Sequence, residues 1–231
     1  MIMIRKADDR GHVDMGWLDT HHTFSFSDYH DDQWVHFRTL RVINEDKIAA
    51  GKGFGMHPHR DMEIITYVLA GAVEHQDSMG NSGVIRPGDV QRMSAGTGIF
   101  HSEANPFDEE LYLYQIWIFP KERNVTPSYE QKRFEDAEKT NQLRLIASPD
   151  GADGSVTIGQ DAKVFASLLD KGTTTNYTLQ PGRAAWLQVV SGSLAVGGVT
   201  ATTGDGLAIS DETDLTISAN EASHLILFDL N

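Results

Sequence analysis

Hydrophobic residues along this chain mostly follow the short pattern of buried β-strands. The clearest case is Leu111 to Phe119, whose sequence LYLYQIWIF is apolar on both alternating faces. Three further runs share this pattern: Ile64 to Leu69, Ala184 to Val190 and Leu225 to Phe228. Turn residues such as Gly71 and Gly204 separate the runs. Short strands at this spacing predict an all-β protein built as a sandwich or barrel.

The stretch from Pro120 to Gly154 breaks this pattern because it is charged and poor in β-branched residues. It predicts one short helix, around Tyr129 to Lys139, and turns at its end. We therefore interpret this stretch as the connection between two β domains.

A weak internal repeat supports two domains. Val68 to Val73 resembles Val189 to Leu194, and both segments read as a strand, a glycine turn and a second strand. We expect an N-terminal domain at residues 1–138 and a C-terminal domain at residues 139–231.

Composition narrows the possible functions. The chain has 231 residues, of which 40% are hydrophobic, so it can bury a sizeable core. A net charge of −14 argues against nucleic-acid binding, which depends on Lys and Arg. The absence of cysteine excludes disulfides, iron–sulfur clusters and thiol nucleophiles. No leader segment or membrane-length apolar run is present, so we expect a cytoplasmic protein, most simply a monomer, without a membrane partner.

Two short segments carry the candidate chemistry: His57-Pro58-His59 and His101-Ser102-Glu103. Each places two potential metal ligands at positions i and i+2, which share one face of a strand. The first pair alone could equally be two exposed histidines on a charged strand edge. Together, three imidazoles and a carboxylate suit a divalent metal such as iron, nickel, copper, manganese or zinc. We therefore predict a metal site where the two segments meet.

Two glutamates compete for the carboxylate position, and the residues alone leave the choice open. Glu103 shares strand parity with His101, whereas Glu63 lies beyond a predicted turn at Arg60 to Met62. We favour Glu103. Glu63 is then expected to orient a ligand imidazole or to pair with Arg60, which would place both beside the site.

Other polar residues are weaker candidates for the pocket. Gln115 is the one polar residue within LYLYQIWIF and could line a cavity wall. His75 could support a ligand, although a solvated position is the simpler interpretation. His21 and His22 are adjacent, so at most one of them can enter a site.

The motifs around these ligands resemble those of cupins. His57-x-His59-x3-Glu63 followed by Gly71 resembles the first cupin motif, and Gly88, Gly96, His101 and Asn105 resemble the second. Ser94 replaces the usual proline, and His101 lies two residues further from Gly96 than usual. These departures are features of the pirins. Further phrases similar to that family are WLDTHHTFSF (17–26), HPHRDME (57–63), EHQDS (74–78) and MSAGTG (93–98).

The chain is thus identified as resembling the pirin family of the cupin superfamily, in its bacterial quercetinase-like branch. The resemblance implies a bicupin fold, with two β-barrel or jelly-roll (double-stranded β-helix) domains and a few short helices. It implies one divalent transition metal per chain, held in the N-terminal domain by His57, His59, His101 and Glu103. Fe(II) is the expected metal, with Ni, Cu, Co, Mn and Zn as alternatives. The C-terminal cupin is expected to lack metal ligands.

For bacterial members, the resemblance also implies quercetin 2,3-dioxygenase activity, in which a flavonol and O₂ react with opening of the heterocycle and release of carbon monoxide. Glu103 would then be the catalytic base. Two alternatives remain: a non-enzymatic, metal-binding or redox-sensing regulator, and a cupin oxygenase with another substrate.

Overall fold

The computed structural model describes every residue from Met1 to Asn231. The chain forms two compact units that are not contiguous in sequence. The N-terminal unit comprises residues 11–133 and 156–160, and the C-terminal unit comprises residues 1–10, 134–155 and 161–231. The first ten residues join the C-terminal unit because Ile2–Arg5 pairs with Gly206–Ile209. This arrangement differs from a single boundary between residues 138 and 139.

The secondary structure is almost entirely β. The strands are β1 (Ile2–Arg5), β2 (Gly11–Asp14), β3 (Leu18–His22), β4 (Leu40–Ile48), β5 (Lys52–His59), β6 (Glu63–Ala70), β7 (Val73–Asp77), β8 (Ser82–Ile85), β9 (Asp89–Ser94), β10 (Ile99–Asn105), β11 (Leu111–Ile118), β12 (Ser128–Arg133), β13 (Arg144–Ser148), β14 (Val156–Thr157), β15 (Ala162–Leu169), β16 (Thr174–Thr178), β17 (Ala184–Ser191), β18 (Ser193–Val196), β19 (Val199–Thr202), β20 (Gly206–Ile209), β21 (Asp214–Ala219) and β22 (Ser223–Leu230). The helices are α1 (Asp136–Lys139) and two 3-10 turns, Ala7–Asp9 and Ala152–Gly154. The predicted all-β class with a few short helices is confirmed.

Two antiparallel sheets build the N-terminal unit. The larger has seven strands in the order β12-β9-β6-β11-β4-β3-β2, and the smaller has four in the order β5-β10-β7-β8. Apolar side chains from both sheets form one buried cluster: Leu18, Ile48, Val68, Leu111 and Leu113 from the larger, and Val73 and Ile85 from the smaller. Burial of these side chains holds the two sheets face to face.

Strand β11 lies inside the larger sheet, paired with β4 on one side and β6 on the other. Its position explains why LYLYQIWI is apolar on both faces. Leu111 and Leu113 contribute to the cluster between the sheets. Farther along the same face, Gln115 and Trp117 line an open pocket instead.

The C-terminal unit repeats the two-sheet plan. One sheet contains the order β1-β20-β17-β22-β15-β13, and the other has the order β16-β21-β18-β19. One core cluster consists of aliphatic side chains such as Leu187, Leu207 and Leu227, and Phe165 and Tyr177 pack against it. Ile217 and Ala219, which the repeat aligns with His101 and Glu103, are buried in this core. That this half holds no metal stays a prediction.

The helix predicted around Tyr129 to Lys139 is wrong for most of its length. Residues 128–133 form β12, which pairs with β9 from Ser128↔Ser94 to Arg133↔Asp89. Only Asp136–Lys139 is helical, and Glu135 and Glu138 form a capping box at its start. Pairing with an available sheet edge outweighs the local charge pattern here. None of the helices has the length and apolar character needed to cross a membrane.

Candidate metal centre

Antiparallel pairing of β5 with β10 brings the histidines of both motifs together. His101 lies opposite His57, and Ile99 lies opposite His59. The ring centroids are separated by 4.4 Å for His57 and His101, 4.8 Å for His59 and His101, and 4.9 Å for His57 and His59. One nitrogen from each ring lies within 4.8 Å of the others. The three imidazoles are therefore close enough to share one ion.

A β-bulge in β5 determines which of its other side chains face the pocket. The pairing moves from His57↔His101 to Phe54↔Glu103, so β5 contains one more residue than β10 over this interval. Phe54 and His57 consequently both line the same pocket, although they are three residues apart. Gly53 allows the strands to approach closely, because a Cβ there would lie 2.4 Å from the Glu103 carbonyl oxygen.

Two of the imidazoles show features of metal ligands. The Nδ1 atom of His57 lies 2.8 Å from the Gly55 carbonyl oxygen, so Nδ1 carries the proton and Nε2 keeps a free lone pair. Both ring nitrogens of His101 are buried without a hydrogen-bond partner. Buried polar atoms are rarely left without a partner. A metal ion bound to His101 would supply one.

Burial and charge repulsion keep His59 and His101 neutral. Burial, together with charge repulsion from His57 and His75, lowers the pKa of His101 to about 3. Burial, followed by repulsion from His101 and His57, lowers the pKa of His59 to about 4. Neutral imidazole is the form that coordinates metal, so both rings are ready to bind well below neutral pH.

Glu103 is held by two donors from the larger sheet. Thr66 Oγ1 donates to its Oε1 at 3.0 Å, and Gln115 Nε2 donates to its Oε2 at 2.8 Å. Its carboxylate lies within 4.8 Å of ring nitrogens of His101 and His75. Each carboxylate oxygen can accept a further interaction, so Glu103 could also take part in metal binding. Gln115, the lone polar residue of its strand, thus contacts this carboxylate directly.

A pocket opens beside the three imidazoles. Its volume is about 230 Å³. Twelve residues line it: Leu18, Thr20, His22, Phe26, Asn44, Asp46, Phe54, His57, His59, Glu103, Gln115 and Trp117. Aromatic and aliphatic side chains thus alternate with convergent polar groups, as is typical of small-molecule sites.

Comparison with known proteins agrees with this geometry. The family model described as "Pirin" matches residues 3–118, and the model described as "Quercetinase C-terminal cupin domain" matches residues 145–230. The chain belongs to the pirin family. This pirin is 53% identical over 231 residues to the quercetin 2,3-dioxygenase of Escherichia coli strain K12. The alignment covers 100% of this chain and 99% of that protein. It is 43% identical over 231 residues to a pirin-like protein of Caulobacter vibrioides, with 99% of both covered.

Solved structures give the same assignment. The E. coli bacterial pirin YhhW in complex with nickel(II) superposes with a TM-score of 0.95 at 51% identity, covering 100% of this chain and 99% of that one. The predicted bicupin fold is therefore confirmed. A divalent metal site in this pirin is supported by that nickel complex and by the His cluster.

Glu63 and Arg60 do not pair with each other in this pirin. Glu63 is buried and accepts hydrogen bonds from Ser94 Oγ at 2.7 and 2.6 Å. Arg60 instead donates to Asn124 Oδ1 at 2.6 Å and lies 3.6 Å from the Asp61 carboxylate. The turn at Asp61, where φ is 48°, separates the two residues. Ser94, which stands where cupins carry proline, is thus the partner of Glu63.

His75 is fully buried, so the expectation of a solvated side chain is wrong. It lies on β7, which pairs with β10. Gln91 Nε2 lies 3.1 Å from its Nδ1, and Asp77 lies 3.5 Å from its Nε2. Its ring stacks on Tyr129 at 5.0 Å and lies 5.4 Å from the His101 ring. His75 therefore packs behind the candidate ligands.

Strands β3 and β4 supply pocket residues that the sequence motifs do not indicate. His22 lines the pocket, while the adjacent His21 stacks on His12 at 4.3 Å. Thr20 Oγ1 donates to Asp46 Oδ1 at 2.5 Å. Burial, with weaker repulsion from Glu103, raises the pKa of Asp46 to about 7. The available signal for this wall was the run of polar residues at 19–22 in β3 and at 44–47 in β4.

Proposed function

We propose that this pirin is a metal-dependent dioxygenase that cleaves flavonols such as quercetin. The observation that carries this proposal is the cluster of the His57, His59 and His101 imidazoles beside an aromatic-lined pocket, which Glu103 also lines. Relatives at about half identity over the whole chain, among them one at 53%, carry the name quercetin 2,3-dioxygenase. In the proposed reaction dioxygen adds across C2 and C4 of the flavonol, and C3 leaves as carbon monoxide.

We further propose that His57, His59, His101 and Glu103 hold one divalent metal per chain, and that the metal is Fe(II). The unpartnered nitrogens of His101 and the free Nε2 of His57 fit this assignment. Such a metal supplies Lewis acidity, which lowers the pKa of a chelating hydroxyl, and a redox centre for dioxygen chemistry.

Glu103 is the proposed base for the flavonol 3-hydroxyl proton. Thr66 on β6 and Gln115 on the neighbouring β11 fix its two oxygens, so the carboxylate is oriented before substrate arrives. A base positioned in this way typically contributes a factor of about 10² to 10⁴ to the rate.

The walls of the pocket suit a flat aromatic substrate. Trp117 packs edge-on against the His59 ring at 4.9 Å, and Phe54 lies 6.4 Å from the His57 ring. Phe26 contacts Trp117 edge-on at 5.4 Å. These rings offer apolar surfaces next to the ligand histidines, and they would exclude water from a bound flavonol.

The test uses purified protein stripped with a chelator and reloaded separately with Fe(II), Ni, Cu, Co, Mn or Zn. Quercetin turnover is followed in air by loss of its visible absorbance and by carbon monoxide release. We expect turnover only in a metal-loaded form, with one metal per chain, and the fastest rate with Fe(II). His101→Ala should abolish turnover, whereas His21→Ala, on the outer face of β3, should not.

The same experiment separates the alternatives. One bound metal per chain without consumption of quercetin would contradict flavonol cleavage and favour a regulatory metal sensor or another oxygenase substrate. Equal turnover by the stripped protein would contradict metal dependence.

We also propose that the protein is a cytoplasmic monomer without nucleic-acid or membrane partners. Light scattering of the purified protein tests whether it is a monomer.

A further inference from the structure

The larger sheet of the N-terminal unit presents its polar side chains to the pocket in rows. His22 lies opposite Asn44, Asn44 opposite Gln115, and Gln115 opposite Thr66, across four neighbouring strands. At one end of this row, Thr66 and Gln115 donate hydrogen bonds to the Glu103 carboxylate. At the other end, His22 Nδ1 lies 2.9 Å from Asn44 Oδ1. The polar atoms of this row therefore already have partners within the protein.

The next row is different. Thr20 lies opposite Asp46, and Asp46 lies opposite Leu113, which belongs to the apolar cluster. Asp46 follows Asn44 by two residues on β4, so the two rows are roughly 7 Å apart along the strand. Thr20 holds Oδ1 of Asp46 at 2.5 Å and is the only side chain that donates a hydrogen bond to this carboxyl group. Oδ2 has no donor from the protein.

Asp46 is therefore a carboxyl group with one fixed and one available oxygen, and it is only 6% exposed. Leu18 and Phe54 line the pocket beside it. Oδ2 is not enclosed by protein, and because Asp46 lines the pocket, a ligand hydroxyl there can donate a hydrogen bond to it. A hydroxyl carried on an aromatic ring satisfies both features.

We propose that Asp46, held by Thr20, accepts a hydrogen bond from a second phenolic hydroxyl of the substrate, away from the atoms that face His57, His59 and Glu103. This proposal rests on the proposed function for its substrate class. The substrate would then be a planar polyphenol with two polar ends: one that chelates the metal and a separate hydroxyl that donates to Asp46. Asp46 would then determine which flavonols bind well.

The test compares quercetin with 3-hydroxyflavone, which keeps the chelating oxygens but has no other hydroxyl. Binding is measured under anaerobic conditions with the nickel-loaded protein, and kcat/KM is measured in air with the iron-loaded protein. Measured above the Asp46 pKa of about 7, where the carboxylate is charged, Asp46→Ala should weaken quercetin binding by about 10- to 100-fold, the range for a hydrogen bond to a charged group. Binding of 3-hydroxyflavone should change less than about threefold.

Two variants guard against a structural effect. Asp46→Asn keeps the shape and one acceptor, so it should lose only about three- to tenfold for quercetin, since neutral hydrogen bonds are roughly half as strong as charged ones. Asp19→Asn changes a carboxylate on the outer face of β3 and should alter neither ligand. Metal content of each variant is checked by elemental analysis.

The outcomes are distinct. Equal losses for both flavonols, or no loss for quercetin, in the Asp46 variants would overturn the role of Asp46. Failure of the wild-type protein to bind quercetin would overturn it as well. If the wild-type protein binds quercetin selectively through Asp46 but does not consume it, the dioxygenase proposal fails and the recognition site stands.

Discussion

Replacing His101 by leucine should make the metal-free protein more stable and remove its response to metal. In the structure both ring nitrogens of His101 are buried and have no partner. Counted as one buried polar ring without a partner, the imidazole costs about 1–3 kcal/mol of folding free energy. Leucine has a similar size and no polar atom, so metal-free His101→Leu should gain about 1–3 kcal/mol over metal-free wild type.

Metal should reverse this order. A ligand present at about 1,000 times its Kd stabilises the folded state by about 4.1 kcal/mol, which exceeds the gain expected for the variant. Wild type should gain that amount, whereas His101→Leu, which lacks one of the three clustered imidazoles, should gain far less. For a protein of this size, 1 kcal/mol corresponds to about 2–4 °C in Tm. The expected pattern is therefore a higher Tm for the variant in chelator and a higher Tm for wild type in metal.

The assay is thermal unfolding followed by circular dichroism, in EDTA and in excess Ni²⁺. His30→Leu is the matched control, because His30 is exposed and belongs to no cluster of potential metal ligands; it should change stability by less than about 0.5 kcal/mol in either buffer. A metal-free His101→Leu protein that melts below metal-free wild type would refute the reasoning. So would a variant that keeps the full metal-induced shift.

Three further predictions follow from the same site. Glu103→Gln should lower quercetin turnover at least about 100-fold while elemental analysis still finds metal; full turnover would assign the base elsewhere. Gly53→Ala should lower metal occupancy and Tm, because its Cβ would lie 2.4 Å from the Glu103 carbonyl oxygen. The control is Gly55→Ala, because a Cβ at Gly55 would meet nothing within 4 Å. The lowered pKa values of His59, about 4, and His101, about 3, mean that the unfolded chain binds more protons than the folded protein below pH 6.5. His224, whose pKa burial lowers to about 4, acts in the same direction, whereas Asp46, whose pKa is raised to about 7, opposes it. Each group changes stability by up to about 1.4 kcal/mol per pH unit, so the three histidines outweigh Asp46 and the metal-free protein should lose stability as the pH falls. Urea titrations at pH 7 and pH 5 measure this, and a flat profile would contradict it.

Much of the fold could be predicted from sequence because its signals are local. Alternation and length identify a strand such as Leu111 to Ile118, and glycine turns separate it from its neighbours. Parity within one strand also places His57 and His59 on the same face. These inferences need only the geometry of an extended chain.

The rest depends on partners that are distant in sequence. Residues 128–133 are charged, and only the exposed edge of β9 makes them a strand. His75 is buried because β7 pairs with β10. Asp46 becomes a pocket residue because Thr20 stands opposite it on β3. Short polar segments do not reveal these neighbours.

The bulge in β5 brings to one face two roles that a regular strand would separate. Phe54 and His57 are three residues apart, so in a regular strand they would face opposite sides of the sheet. Because the bulge inserts one residue between them, both face the pocket, where Phe54 lines the cavity and His57 belongs to the imidazole cluster. Exchange of Phe54 for a smaller or larger side chain would thus remodel the cavity without rotating the histidines. This pirin scaffold could acquire new ligand preferences at one position while leaving its ion-holding residues untouched.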